Sequence, residues 1–269
     1  MVDATLDDLF RLEPDRTQLV GLSGLQGSGK STFARQLAAR AVLRDRACVV
    51  LSLDDFYLGR RERLRLARDV HPLLATRGVP GTHDLALLHA TLDAFATATP
   101  ARPVCVPRFD KGRDTRMPPS RWQRVASPPR LVLLEGWCVG LPPQSTPALR
   151  RPLNALERDE DRDGLWRTWV NAQLAGDYAV AWRRLDRLVL LQAPRHAVVE
   201  RWRDEQERAL RRRGAPCAMD RATLSRFLMH TERLGRHALR TLPARADLRL
   251  LLDADRGVRA FRTGRLVIS

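Results

Sequence analysis

The run Gly24-Leu25-Gln26-Gly27-Ser28-Gly29-Lys30-Ser31-Thr32 sets glycines, a lysine and hydroxyl side chains at the spacing G-x-x-x-x-G-K-[ST]. That spacing suits one task, cradling the phosphates of a nucleotide. Glycines let successive backbone N–H groups converge on a phosphate without Cβ obstruction, and a helix that begins at the lysine adds its positive end. Gly24, Gly27, Ser28, Gly29 and Thr32 are therefore read as nucleotide-binding. Lys30 would neutralise charge on the β- and γ-phosphates of ATP, and the Ser31 hydroxyl would ligate Mg²⁺. With 16 glycines and two lysines in 269 residues, a chance match is on the order of one in a thousand.

Arg130 to Trp137 is an apolar run that ends in Glu135, an acid that would lie beside the Mg²⁺ of a nucleotide held in the glycine-rich loop. A second apolar run, Ala47 to Leu53, is closed by Asp54-Asp55-Phe56-Tyr57. At a strand end Asp54 can face a γ-phosphate and accept the proton of an attacking hydroxyl, although a turn or helix-cap carboxylate looks the same in sequence. Asp55 then reads as a metal or water partner or, with Tyr57, as a substrate contact. The segments 78–84 and 108–116 carry His83, Asp84, Arg108, Asp110, Lys111 and Arg116, types that can surround a small polar acceptor and that also suit ordinary turns. Composition singles out Lys111. Against 45 arginines the chain has two lysines, Lys30 and Lys111, so Lys111 is a candidate for a task that a planar guanidinium cannot perform.

These groups need elements to hold them. Gln18 to Leu22 reads as a short buried strand, Ser31 to Leu43 as a helix and Ala47 to Leu53 as a second strand. Together they form a βαβ unit, hence a parallel sheet with ligands at the carboxyl ends of its strands. Residues 1–17 form an amphipathic lead-in with Leu6, Phe10 and Leu12 on one side and Pro14 at its end. Helices are expected over Glu62 to Asp69, Leu85 to Ala96 (capped by Thr82 or Asp84), Asp163 to Arg184, Val198 to Arg213 and Thr223 to Leu242. Further strands are expected at Val104 to Val106, Leu188 to Ala193, Leu248 to Asp253 and, at an edge, Gly264 to Ile268. The Arg- and Glu-rich helix from Val198 suits a lid over phosphates. Trp166, Trp169, Tyr178 and Trp182 read as core or helix-interface residues.

At 269 residues and 44% hydrophobic content the chain can bury a substantial core. No apolar run reaches membrane-span length, and the start Met1-Val2-Asp3-Ala4 lacks a signal-peptide layout, so a cytoplasmic protein is expected. Cys48, Cys105, Cys138 and Cys217 are scattered, which points to reduced, packed thiols. The net charge of +16 would suit nucleic acid, but its arginines alternate with acids on helical faces, as in Glu200-Arg201-Trp202-Arg203-Asp204-Glu205, and read as solvated surface. Nucleic acid is not expected as a partner.

Gly21 to Thr32, Ser52 to Tyr57, Arg77-Gly78 with Gly81-Thr82-His83-Asp84, Pro107 to Lys111 and Leu134 to Trp137 together resemble the D-glycerate 3-kinase family. That family is grouped with P-loop kinases related to uridine kinase, phosphoribulokinase and bacterial pantothenate kinase. The similarity extends to Val170-Asn171, Leu174, Tyr178, Arg201-Trp202-Arg203 and the helix after Met219, and so spans roughly residues 15–255. The resemblance implies an α/β fold, a P-loop NTPase with a doubly wound, mainly parallel sheet, helices on both faces and a helical lid. It implies one kinase domain over 1–269, with acceptor-site insertions at about 56–120 and a lid helix at about 196–214. It implies ATP and Mg²⁺ as cofactors and D-glycerate as acceptor. By position Asp54 matches the base and Glu135 the acid near Mg²⁺; His83, Asp84, Arg108 and Lys111 fall in acceptor-lining segments, and Arg201 and Arg203 in the lid. The loop after Lys111 is shorter than in the plant enzymes, and Asp220 stands where Ser or Thr often follows the Met. The motifs also fit a kinase of another small alcohol, such as a nucleoside or pantothenate, or a nucleic-acid-associated ATPase. Oligomeric state is not legible.

Overall fold

The computed structural model describes residues 1–11, 16–212, 214 and 219–264. Leu12, Pro14, Arg213, Cys217 and residues 265–268 of the expected edge strand lie outside the described residues.

The first half of the described chain runs α1 (Val2–Phe10), β1 (Gln18–Gly24), α2 (Lys30–Val42), β2 (Cys48–Ser52), α3 (Arg60–Asp69), α4 (Leu85–Ala94), β3 (Val104–Val106), β4 (Phe109–Asp110), β5 (Thr115–Arg116), β6 (Gln123–Val125) and β7 (Leu131–Gly136). The second half runs α5 (Ala155–Glu160), α6 (Leu165–Ala175), α7 (Asp177–Arg183), β8 (Arg187–Gln192), α8 (Val198–Arg212), α9 (Arg221–Thr241), β9 (Leu248–Leu252) and β10 (Val258–Thr263). A six-stranded sheet has the order β10-β9-β8-β1-β7-β2. Its strands are parallel except β10, which pairs antiparallel with β9. β1 and β7 are buried along their whole length, as expected of central strands covered on both faces.

Register positions the chemistry. β1 pairs Ser23 with Gly136, and β2 pairs Ser52 with Glu135, so the glycine-rich loop, Ser52 and Glu135 emerge side by side at the carboxyl ends of neighbouring strands. That edge is where a parallel sheet binds its ligands. α2 starts at Lys30 and packs across β1, β2 and β7.

Several expectations change in detail. The helix expected over 163–184 breaks at Gly176, whose backbone leaves the helical region (φ −92°, ψ −112°) between α6 and α7. The strand at 104–106 stays out of the main sheet and pairs with β6, while the polar loop at 108–116 is a small hairpin, β4–β5. The observed edge strand is Val258–Thr263, ahead of the expected one. Cys48 and Cys138 are free and at least partly covered, but Cys105 is exposed, a correction to the packed reading. Behind the sheet, Arg233 of α9 grips Glu157 of α5 through two hydrogen bonds of 2.7 and 2.6 Å, both side chains buried. Asp220 caps α9 by accepting from Thr223 N at 2.8 Å. Ser and Thr perform the same cap, which accounts for the exchange of residue types here. Asp220→Ser is expected to keep the thermal midpoint and Asp220→Ala to lower it, a comparison that thermal unfolding of the two variants reads directly. No helix among the described residues is long and apolar enough to cross a membrane.

Candidate active site

The loop between β1 and α2 turns through two left-handed glycines, Gly27 (φ 79°) and Gly29 (φ 89°). A Cβ on Gly29 would meet nothing within 4 Å, so the space above it is open. A Cβ on Gly27 would lie 2.6 Å from Trp202 Cβ, and one on Gly24 2.9 Å from the Leu191 carbonyl. Those two glycines admit close packing, by α8 against Gly27 and by β8 against Gly24. Trp202 is fully buried there and donates from Nε1 to the Ala254 carbonyl at 2.7 Å. Arg256, in the β9–β10 turn, donates to the Gly27 carbonyl at 2.7 Å and fixes the loop from the other side.

Lys30 is buried and donates to the Leu25 carbonyl at 3.2 Å. Burial pulls its ammonium below the usual lysine range, while Glu135 and Asp54 pull it back up. An incoming phosphate would add to that second effect. Ser31 and Ser52 both donate to Glu135 Oε1, each at 2.9 Å. Hydroxyls around a carboxylate are the hard oxygen donors that Mg²⁺ takes, and Mg²⁺ normally completes its shell with waters and substrate phosphates. Among the described residues no group of three or more His, Cys, Asp or Glu is placed to hold a metal.

A cleft of 330 Å³ covers this loop and is lined by Lys30, Ser31, Thr32, Ser52 and Glu135. A second cleft, of 510 Å³, opens beside it and is lined by Tyr57, Arg63, Arg77 and Asp114. Asp54, Lys111, Arg203, Gln26 and Trp137 line both. At this junction Lys111 donates to Asp54 Oδ2 at 2.5 Å and Tyr57 donates to Asp54 Oδ1 at 2.8 Å. Burial favours the neutral acid, but the Lys111 charge and the two hydrogen bonds outweigh it and hold Asp54 well below the usual carboxylate range. The same pairing raises the pKa of Lys111.

No model of a known protein family matches the chain. Over 206 residues it is 37% identical to the uncharacterized kinase mug58 of Schizosaccharomyces pombe, covering 74% of this chain and 73% of that protein. Over 204 residues it is 31% identical to the chloroplastic D-glycerate 3-kinase of Arabidopsis thaliana, covering 73% of this chain but 42% of the plant protein. A solved D-glycerate 3-kinase of Cryptococcus neoformans superposes with a TM-score of 0.77 over 98% of this chain and 99% of that one, at 23% identity, and so shares the fold. The chain belongs to the same kinase family as the Schizosaccharomyces pombe protein. It is a small-molecule kinase with a P-loop nucleotide site.

Within this kinase most residues singled out from sequence divide into two groups, while Gly24, the buried Ser28 and Arg201 line neither cleft. Gly27, Gly29, Lys30, Ser31, Thr32, Asp54, Tyr57, Lys111, Glu135 and Arg203 line the clefts. Asp55, His83, Asp84, Arg108, Asp110 and Arg116 form a supporting layer instead. Asp55 accepts from Arg108 and from Phe109 N, at 2.8 and 2.9 Å. Asp84 caps α4 and pairs with Arg116 at 2.9 Å. Asp110 closes the hairpin by accepting from Gly112 N and Arg113 N. Arg201 turns away to Asp255 at 2.9 Å, and lines a separate groove between α8 and α9. Arg203 points into the junction, held by Gln206 and the buried Glu207 at 2.7 and 2.6 Å. Arg63, Asp114 and Arg256 emerge only from the structure, while Arg77 and Trp137, which stood in the sequence motifs, gain a place in the clefts here; one more arginine carries no signal in so arginine-rich a chain.

His83 is buried and stacks on Tyr57, ring centroids 4.5 Å apart, while its Nδ1 lies 2.5 Å from the Tyr178 hydroxyl. Burial lowers its imidazole from 6.5 to about 4, against an opposing pull from Asp54. The unfolded chain therefore takes up a proton as the pH falls below 6.5, whereas the folded chain resists until about 4. His83 thus contributes stability that is intact above this window and lost on descending through it, roughly 3 kcal/mol in all. Thermal unfolding measured across these pH values should show this loss in the native protein and not in His83→Gln.

Proposed function

We propose that this kinase transfers the γ-phosphoryl group of MgATP to a hydroxyl of D-glycerate, giving 3-phosphoglycerate and ADP. The observation that carries the reading is the junction of two clefts at Asp54, Lys111 and Arg203: a phosphate-type loop on one side, a cation-rich chamber on the other. The P-loop and Lys30 hold the donor phosphates. Ser31 and Glu135 would hold Mg²⁺, which would supply charge neutralisation on the phosphoryl group. Asp54 takes the proton of the acceptor hydroxyl as its oxygen bonds to the γ-phosphorus and the bond to the ADP oxygen breaks. Lys111 and Arg203 offset the charge of the group in flight. In this reading residues 1–269 form one kinase domain, segment 56–120 builds the acceptor side and the helix within 196–214 is the lid. The 31% identity to the plant D-glycerate 3-kinase supports the acceptor assignment. Coupled measurement of ADP release with D-glycerate, glycerol, nucleosides and pantothenate tests it. D-glycerate is expected to raise ADP release well above the no-acceptor rate with formation of 3-phosphoglycerate, and no increase would overturn the assignment.

A further inference from the structure

Arg63 is 1% exposed, yet it lines the acceptor-side cleft. Each nitrogen of its guanidinium has a partner: Nε donates to the Leu58 carbonyl at 3.2 Å, Nη1 to the Ala75 carbonyl at 2.8 Å, and Nη2 to Asp114. Asp114 also accepts from Arg77 Nη1 at 2.5 Å, while Arg77 Nη2 reaches the Lys111 carbonyl at 3.2 Å. One carboxylate thus bridges two arginines at the wall of the cleft. It is carried by the β4–β5 loop in a left-handed conformation, φ 53°, which a non-glycine residue adopts only at a cost. A buried guanidinium left without an anion is strongly destabilising, so Arg63 requires a carboxylate beside it at all times. Nothing requires that carboxylate to be Asp114. Counted by side chains, the cleft holds Arg63, Arg77, Lys111 and Arg203 against Asp54 and Asp114, an excess of positive charge that suits an anionic acceptor.

We infer that Arg63 and Arg77 form the subsite for the carboxylate of the acceptor, and that Asp114 occupies it as an internal stand-in which the acceptor displaces. The inference rests on the small-molecule kinase reading and names how its acceptor is recognised. Guanidinium pairs bidentately with a carboxylate, so two arginines at this wall suit the acceptor's carboxylate.

The test is calorimetric titration of the full chain, saturated with Mg²⁺ and a non-hydrolysable ATP analogue, using D-glycerate, glycolate, lactate and the neutral triol glycerol as probes. The native protein is expected to bind D-glycerate at least 10-fold more tightly than glycerol, Arg77→Gln to weaken the carboxylates by about 10- to 100-fold with no effect on glycerol, and Asp114→Asn to tighten the carboxylates severalfold. A purely structural Asp114 predicts the opposite sign for that last variant. Equal affinity for D-glycerate in native and Arg77→Gln proteins of matched thermal midpoint, weaker binding in Asp114→Asn, or no binding of any carboxylate would each overturn the subsite. Failure of the glycerate reading is separable: Arg77-dependent binding of lactate or glycolate without turnover of D-glycerate keeps the subsite and removes the substrate. Turnover of D-glycerate with an unchanged KM in Arg77→Gln does the reverse.

Discussion

Asp54→Asn is expected to keep MgATP affinity and lose about 10²- to 10⁴-fold in turnover with the acceptor, the usual contribution of a positioned proton acceptor. Asparagine matches the shape of the side chain and still accepts from Tyr57, whose 2.8 Å bond fixes the carboxyl orientation in the native protein. What it loses is basicity and the charge that holds Lys111 at 2.5 Å. Nucleotide binding should be spared because the P-loop contacts run through Lys30, Ser31 and the loop backbone. Steady-state ADP release combined with titration of a fluorescent nucleotide separates the two quantities. Full turnover in Asp54→Asn would remove Asp54 as the base, and a parallel loss of nucleotide affinity would make it part of the donor site.

Asp54 and Lys111 were legible in the sequence for different reasons. Asp54 follows an apolar run whose length and β-branched content specify a parallel strand, and such strands present their carboxyl ends to ligands. Lys111 stood out only because arginine has replaced lysine almost everywhere else, 45 to two. The same bias hid Arg63, since one more arginine in this chain says nothing. Asp114 was hidden because its role depends on a left-handed turn between two-residue strands, a geometry that local propensity does not signal. His83, Asp84, Arg108 and Arg116 were found as a group but point into the layer behind the cleft, since the types that bind polar substrates also cap helices and close hairpins. Arg201 and Arg203 could not both face the phosphates. Two residues along a helix lie roughly 200° apart around its axis, so one faces the junction and the other faces Asp255. The sheet itself was readable nearly strand for strand, apart from β10, whose short apolar content is broken by Arg259 and Arg262.

Lys111→Met is expected to change both the rate and its pH dependence, and in a direction that separates Lys111 from a structural lysine. Loss of a cation that neutralises the transferring phosphoryl group lowers kcat by about 10²- to 10³-fold, by analogy with removal of one preorganised charge-stabilising donor. The pH effect follows from Asp54. Burial alone would raise the pKa of that carboxyl, and the Lys111 ammonium is the main influence that reverses it. A base must be deprotonated to work, so activity falls as the pH drops through its pKa. In the native protein the acid limb of kcat/KM, which reports the free enzyme, should lie below the ordinary carboxylate range. In Lys111→Met, burial acts without that counterweight and the limb moves to higher pH. Lys111→Arg keeps a charge and should leave the limb low, yet its planar, more extended fork cannot reproduce a single 2.5 Å contact to Asp54 and a point approach to phosphate. It should therefore recover the pH profile and not the rate. A limb that stays put in Lys111→Met would show that Asp54 is tuned by Tyr57 and the surrounding backbone, and a full-rate Lys111→Arg would show that the second lysine of the chain is there by chance.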